Sequence, residues 1–377
     1  MILKNAMLTD ENFDLIESDL SIEGETIARV GKNLPGEAID LTGCTIVPGF
    51  VDIHIHAAVG ADTCDANPRG LEKMSEYLVA RGVTTFCPTT MTVSHEEIEN
   101  ALAAVKQAME RPQKGALIAG VNMEGPYISI HRKGAQDGKY VKNPDFEEFQ
   151  GFYDGCGGII KLVDIAPECA GAEDFIPRAA RLCTVSIAHT MADYDTAKRA
   201  FDLGITHATH LYNAMPGLSH REPGVVGAVF DDSRIRAEII CDGFHIVPAV
   251  LRITFQMLGE DRTVIISDSM RAAGEPDGVY TLGGQEVFVK NGQARLADGT
   301  IAGSTTNLYQ EVKNLLQWGV PFRQVIKSAT INPAKEIRMA DRIGSVQEGK
   351  YADLVVLDAD RNIRMVFVRG KIKADNR

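Results

Sequence analysis

The sequence predicts an α/β fold: a TIM-like (β/α)8 barrel with a small β-sandwich domain formed by both chain ends. Three observations predict it. Eight short apolar runs rich in Ile, Val and Thr follow from residue 45 onward, the composition of buried parallel strands. Most are separated by segments whose apolar residues recur at helical spacing, so strand and helix alternate. The two ends read instead as short strands broken by turns. Size agrees: 377 residues, 45% of them hydrophobic and 35 of them glycine, suit one large domain plus a small one.

In chain order, residues 1–44 give short strands with turns at the EGE of 23–25 and near Pro35 and Gly36. Neither this end nor residues 343–377 can make a stable sheet alone, so the two are expected to pair, with 45–342 as the barrel. The strand runs are TIVPGFVDIHIH (45–56), VTTFCPTT (83–90), LIAGVNMEG (117–125), IIKLVDIAPE (159–168), TVSIAHT (184–190), ITHATHLYN (205–213), RAEIICDG (236–243) and RTVIISDS (262–269). Between the second and third, Ser94 and Glu97 make a capping box. Ile98, Leu102, Val105 and Met109 then mark one helical face, with Gly115 beyond its end. Tyr194, Ala197 and Phe201 repeat the spacing, with Gly204 as a stop. An insert at 278–300 reads as hairpins, one turned by KNGQ.

A net charge of -12 and a pI near 5.3 argue against nucleic acid and anionic membrane as partners. No apolar stretch is long enough to span a bilayer, and the MILKNAMLTDENFD start has no basic region leading into an apolar block. Seven cysteines without CxxC pairs read as reduced thiols, so a cytoplasmic location is expected.

The polar residues of the runs collect at their C-terminal ends. His54 and His56 end the first, Glu124 the third, His189 the fifth; His207 and His210 lie near the end of the sixth, Asp242 and His245 follow the seventh, and Asp268 ends the eighth. That rim is where (β/α)8 barrels keep active sites. Strict alternation puts Val51, Ile53 and Ile55 on a face toward the helices and Asp52, His54 and His56 on the barrel face. With Glu124, His189, His210 and Asp268, the two histidines give four nitrogens and two carboxylates, a set that suits zinc, iron or another divalent first-row metal. One strand-end histidine is often only hydrogen-bonded; six such residues at one rim are not explained that way. His207 falls on the opposite strand face from His210 and is not expected to be a ligand. His95 and His220 read as surface or loop residues.

Asp268 has a second expected role. A divalent ion lowers the pKa of bound water toward ~7, and a carboxylate beside it can take the proton and return it to a leaving amine. The alternative is a helix N-cap. In HLYNAMPGLSHREPG (210–224), Asn213, the backbone around Ala214 and Arg221 could bind an anion; Arg221 pairing with Glu222 is the equal alternative.

Through PGFVDIHIH, NMEGPYI, KGAQD, AHT, THLYNAMPGLSHREPG, DGFH, SDSM, DGVYTLGG, IAGS, ATINPA and GSVQEGKYADLVVLD, the chain resembles, nearly end to end, the N-acetylglucosamine-6-phosphate deacetylase family of the amidohydrolase superfamily. The resemblance implies hydrolysis of the N-acetyl group of an amino-sugar 6-phosphate, a barrel of the metal-dependent hydrolase type, and a homodimer. It implies that Glu124, His189 and His210 hold a metal and that Asp268 is the catalytic acid and base. Asn213, Ala214 and His245 match phosphate or sugar contacts, and Ala135 and Gln136 of KGAQD fall in a substrate stretch. Arg221 matches an arginine reaching across the dimer, and Ile301, Ala302 and Gly303 match a loop lining the substrate.

HxH marks the members able to hold a second ion, so His54 and His56 are expected to build a second site with Asp268 and a bridging Glu124. Two features depart from the family. Gln136 stands where a histidine is usual, which either weakens oxyanion stabilisation or leaves it to a second ion; His131 has no supporting spacing as a substitute. Ala57 and Ala58 stand where glycine is usual, which would tighten the loop over the first metal position. The galactosamine epimer stays open as substrate, as does another N-acyl or cyclic amide. The cyclic-amide enzymes usually use a modified lysine at the fourth strand; here Lys161 lies early in that strand and Glu124 does the corresponding work. A barrel that only binds sugar phosphate is the third reading, and Asp268 argues against it.

Overall fold

A computed structural model describes residues 1–377. Each of the eight apolar runs carries a parallel strand. Phe50–Ile55, Val83–Pro88 and Leu117–Ile118 form one sheet; Val121–Met123, Ile160–Ile165, Thr184–Ile187, His207–Ala208, Arg236–Ile240 and Thr263–Ile266 form a second, in chain order. The third run is interrupted at Ala119 and Gly120, and a parallel bridge between Thr89 and Asn122 links the two sheets across the break. At the other end the last strand meets the first: the Asp268 N–H donates to the His54 carbonyl at 2.9 Å, and the Ser267 hydroxyl donates to Asp52 at 2.6 Å. The strand order therefore closes on itself.

Helices fill the connections where the apolar spacing puts them. His95–Met109 starts at the Ser94 capping box, with Glu97 returning the bond, and buries Ile98, Leu102 and Val105. Tyr194–Leu203 is capped by Asp193 and ends at Gly204. The insert is a three-stranded antiparallel sheet, Gly278–Leu282, Gln285–Lys290 and Gln293–Arg295. Its KNGQ turn has Asn291 and Gly292 at φ 53° and 71°, the left-handed pair a two-residue hairpin turn needs.

Both chain ends share one eight-stranded sheet. Its order runs from Lys371–Asp375 through Ile363–Val368, Leu354–Leu357, Thr45–Pro48, Ile2–Thr9 and Leu15–Glu23 to Thr26–Gly31, with Ala38–Asp40 also pairing Ile2–Thr9. Its 15-residue apolar cluster, including Leu8, Leu20, Ile46, Leu354 and Phe367, comes from these strands and their connections alone. The first apolar run is thus split. Thr45–Pro48 belongs to the terminal sheet and Phe50–Ile55 to the parallel ring, with Gly49 between them, where a Cβ would collide with the Thr84 side chain.

Strict alternation fails along the first ring strand. Val51 and Ile53 share a cluster with Cys87, Leu162, Ile240, Val264 and Ile266, side chains of the second, fourth, seventh and eighth strands. Only the inside of the ring brings those strands together, and Ala334 and Ile337 of the last helical segment join the same cluster. Ile55 packs in the large outer cluster instead. The pairing with Val83–Pro88 slips between Asp52 and Ile55. One extra residue there resets the alternation, so Val51 and Ile53 floor the interior and His54 still faces inward above them.

Candidate metal centre

The expected rim residues converge. His54 lies in the first ring strand and His56 just past it; Glu124 follows Val121–Met123; His189, His210 and Asp268 each sit two residues beyond their strands. The last three have positive φ, 43°, 31° and 45°. Such backbone costs a non-glycine residue on the order of 1–3 kcal/mol and collects at functional sites. Here it turns the chain sharply as it leaves each strand. This also explains why the sixth run yields only the two-residue strand His207–Ala208: Tyr212 and Ala214 are left-handed as well.

Glu124 is the shared member. Its Oε1 lies 3.1 Å from His189 Nε2 and 3.0 Å from His210 Nε2, and its Oε2 lies 3.3 Å from His56 Nε2. Asp268 Oδ1 is 3.3 Å from His56 Nε2 and 3.7 Å from His54 Nε2. Two groups have ligand atoms close enough to share an ion: Glu124 with His189 and His210, and Glu124 with His54 and His56. The donor set fits a cation on its own chemistry. Nε2 atoms face each other at 3.1 Å between His189 and His210 and at 3.4 Å between His54 and His56, and lone pairs turned together in a buried site call for a positive charge among them.

The far ring nitrogens explain that orientation. His189 Nδ1 donates to the Arg132 carbonyl at 2.8 Å, His56 Nδ1 lies 3.3 Å from the Thr89 carbonyl, and His54 Nδ1 lies 2.9 Å from Glu238. A carbonyl or carboxylate only accepts, so the proton stays on Nδ1 and Nε2 is left as the ligand atom. His210 Nδ1 has no partner. Protons on Nε2 can stand in for such a positive charge: burial pushes the Glu124 carboxyl up, but hydrogen bonds from His189, His210 and His56 then outweigh it and hold the group well below its usual range. Asp268 is likewise raised by burial and lowered further by His56 and His54.

The cluster floors a cavity of about 380 Å³. His56, Glu124, His189, His210 and Asp268 line it, while His54 lies fully buried beneath. Ala135, Gln136, Asn213, Ala214 and His245 form walls, as do Ile301 and Gly303; Ala302 between them is buried and does not. His131 lines the cavity too. Arg221 is exposed and outside it.

The Gln136 amide donates to Glu124 Oε2 at 2.5 Å, and its oxygen accepts the Thr92 N–H at 2.6 Å. Both ends of this side chain are therefore spent on holding Glu124. Asp268 caps no helix: the next helix begins at Leu308, and its carboxylate faces His56 instead. Ala57–Ala58 pairs with Ala61–Asp62 in a small hairpin that directly follows His56. His207 turns away from the cluster to Glu238 and Glu336.

Sequence reasoning passed over Arg132, beside His131 at the cavity wall, and Glu238 behind His54. The signal for Glu238 was present: it is the lone acid within the apolar RAEII segment.

A match to the amidohydrolase family runs over residues 45–373. The N-acetylglucosamine-6-phosphate deacetylase of Bacillus subtilis (strain 168) is 35% identical, over 99% of this chain and 96% of that one. The N-acetylgalactosamine-6-phosphate deacetylase of Escherichia coli O157:H7 is 33% identical, over 97% of each. A solved structure of a mutant N-acetyl-D-glucosamine-6-phosphate deacetylase from Mycobacterium smegmatis, in complex with N-acetyl-D-glucosamine-6-phosphate, superposes with a TM-score of 0.93 at 31% identity, covering 99% of both chains. Histidines and acids gathered over the ends of parallel strands, and likeness along nearly the whole length, have one explanation: the chain belongs to the amidohydrolase family.

Proposed function

We propose that this chain hydrolyses the N-acetyl group of N-acetylglucosamine 6-phosphate, giving glucosamine 6-phosphate and acetate. The observation that carries the reading is Glu124 shared between two histidine groups, with Asp268 beside it, on the floor of an open cavity. The sugar comes from the relatives, most of which are named for it, and the galactosamine epimer is the second reading because the Escherichia coli relative is named for that.

Glu124, His189 and His210 would hold one divalent ion; His54, His56 and Asp268, with Glu124 bridging, would hold a second, zinc or iron being the best match to nitrogen and carboxylate donors. Ions held there would supply Lewis acidity, the chemistry that activates a water and polarises an amide carbonyl. Asp268 takes the proton of the attacking water and delivers it to the nitrogen as the C–N bond breaks, so that acetate and a free amine leave. Ala214, Asn213 and His245 would bind sugar and phosphate, with Asp242 fixing the His245 ring at 2.7 Å. The Ile301–Gly303 loop and Ala135 close the remaining walls. Gln136, braced by the Thr92 N–H, positions Glu124.

Arg221 stays outside its own cavity, which suits our reading that it serves a partner copy in a homodimer. We read the parallel ring as a (β/α)8 barrel of about residues 45–342, and the terminal sheet of 1–44 and 343–377, with Thr45–Pro48 on its side, as the small β-sandwich domain. No helix is long and apolar enough to cross a membrane, and all seven cysteines are free; both suit a cytoplasmic enzyme.

The test is acetate release by the purified, metal-analysed protein from both N-acetyl amino-sugar 6-phosphates. Turnover of the glucosamine form at higher kcat/KM supports the proposal. Preference for the galactosamine form selects the second reading, and no release from either overturns both.

A further inference from the structure

Beneath the centre runs a buried chain of charged groups that the reaction itself does not use. Glu238 Oε2 lies 2.9 Å from His54 Nδ1 and accepts the His210 backbone N–H at 3.3 Å. Its Oε1 lies 3.1 Å from His207 Nε2. His207 Nδ1 stands 2.9 Å from Glu336 Oε2, at ion-pair distance but off the line of a hydrogen bond. Glu336 Oε1 accepts from Arg236 at 2.7 Å. His54, Glu238 and His207 have no solvent exposure and Glu336 has 2%, whereas Arg236 reaches the surface.

Two features separate this chain from ordinary charge compensation. The charges alternate along it, from Glu238 to an imidazolium at His207, then Glu336 and Arg236. Burial lowers the tendency of His207 to take a proton, but Glu336 and Glu238 overcome this and raise its pKa to about 10. Neutralising Glu238 needs only His207, yet its other oxygen is spent on the two halves of the centre: a ring on one side, the left-handed backbone of His210 (φ 31°) on the other. Of the four histidines at the centre, His54 alone has its far nitrogen held by a carboxylate. Charged acceptors hold a ring more firmly than neutral ones.

We propose that Glu238 is a positioning residue for the centre. It fixes the His54 ring with Nε2 turned inward and steadies the His210 turn, while His207, Glu336 and Arg236 hold Glu238 in place from the far end of the ring. This rests on the two-ion reading above. Because the chain grips the ring of His54 and only the backbone of His210, its loss weakens the His54 and His56 position more than the His189 and His210 position.

The experiment titrates metal-stripped wild type, Glu238→Gln and His54→Asn with zinc against a competing chelator, and counts zinc per chain. Glutamine keeps the shape of Glu238 and removes its charge and one acceptor. The expected result is a second zinc bound roughly 10- to 100-fold more weakly by Glu238→Gln, with the first nearly unchanged. Two zinc ions held with wild-type affinity, or equal weakening of both, would overturn the proposal. If His54→Asn loses no zinc, it is the two-ion reading that fails. Should Glu238→Gln not fold, proton NMR of zinc-loaded wild type decides: a downfield, exchange-protected His54 Nδ1 proton is expected, and a fast-exchanging one overturns the proposal.

Discussion

The two histidine pairs of the centre reach similar geometry by different means. His54 and His56 come from one strand, two residues apart, and a bulge aims them. His189 and His210 come from two strands, and left-handed backbone at each aims them. In the first pair the Glu238 carboxylate stands behind the His54 ring and the Thr89 carbonyl behind the His56 ring; in the second the Arg132 carbonyl stands behind one ring and nothing behind the Nδ1 of the other. A pair carried on one strand can be lost by substituting two side chains without disturbing the fold, whereas a pair aimed by left-handed turns of two strands is tied to the fold itself.

Glu124 joins the pairs, so it offers the largest test. Glu124→Ala is expected to leave neither ion at stoichiometric occupancy by elemental analysis and to bring acetate release below detection; retention of one tightly bound ion would show that the pairs are independent. Asp268→Asn should lower kcat by about 10²–10⁴-fold, the range for removing a general acid and base, while the ion at His189 and His210 stays bound. Undiminished turnover would move the proton transfer elsewhere. The double variant His54→Asn with His56→Asn should remove one ion per chain and leave the other; unchanged metal content would erase the distinction between the pairs.

The smallest effect belongs to a control outside both. Hydrogen bonds from Arg234, joined by Lys198 and opposed by burial, hold the Asp232 carboxyl below its ordinary range. A lowered native pKa contributes stability above the unfolded value near 3.8, lost as pH falls through the native one. Asp232→Asn should therefore cost roughly 1 kcal/mol at pH 7 and progressively less below pH ~4, by thermal melts, with metal content unchanged at pH 7.

The difference between the pairs also governs what could be read from sequence. All eight apolar runs carry ring strands, and the six rim residues meet, because composition and strand-end position are local properties. The bulge at Asp52–Ile55 was not legible: nothing in VDIHIH says that one residue is extra, so alternation put Val51 and Ile53 on the wrong face although it turned His54 inward correctly. The left-handed turns at His189, His210 and Asp268 were equally hidden, since none of these is glycine and each is held by contacts distant in sequence. Gln136 was legible as a departure but not as a brace for Glu124, because its Thr92 partner lies 44 residues away.

The split at Gly49 has a consequence for how the molecule is made. Thr45–Pro48 lies in the terminal sheet between Ile2–Thr9 and Leu354–Leu357. During synthesis its outer edge has no partner until Leu354–Leu357, about 300 residues later, has left the ribosome. The amino-terminal strands must wait with an open edge, the exposure that invites pairing with another chain, while the ring assembles from neighbours in sequence. Closing the terminal sheet joins residues about 300 apart and is the step with the longest loop. A chain stopped short of Leu354 should thus show first as aggregation of nascent protein, before any question of catalysis arises.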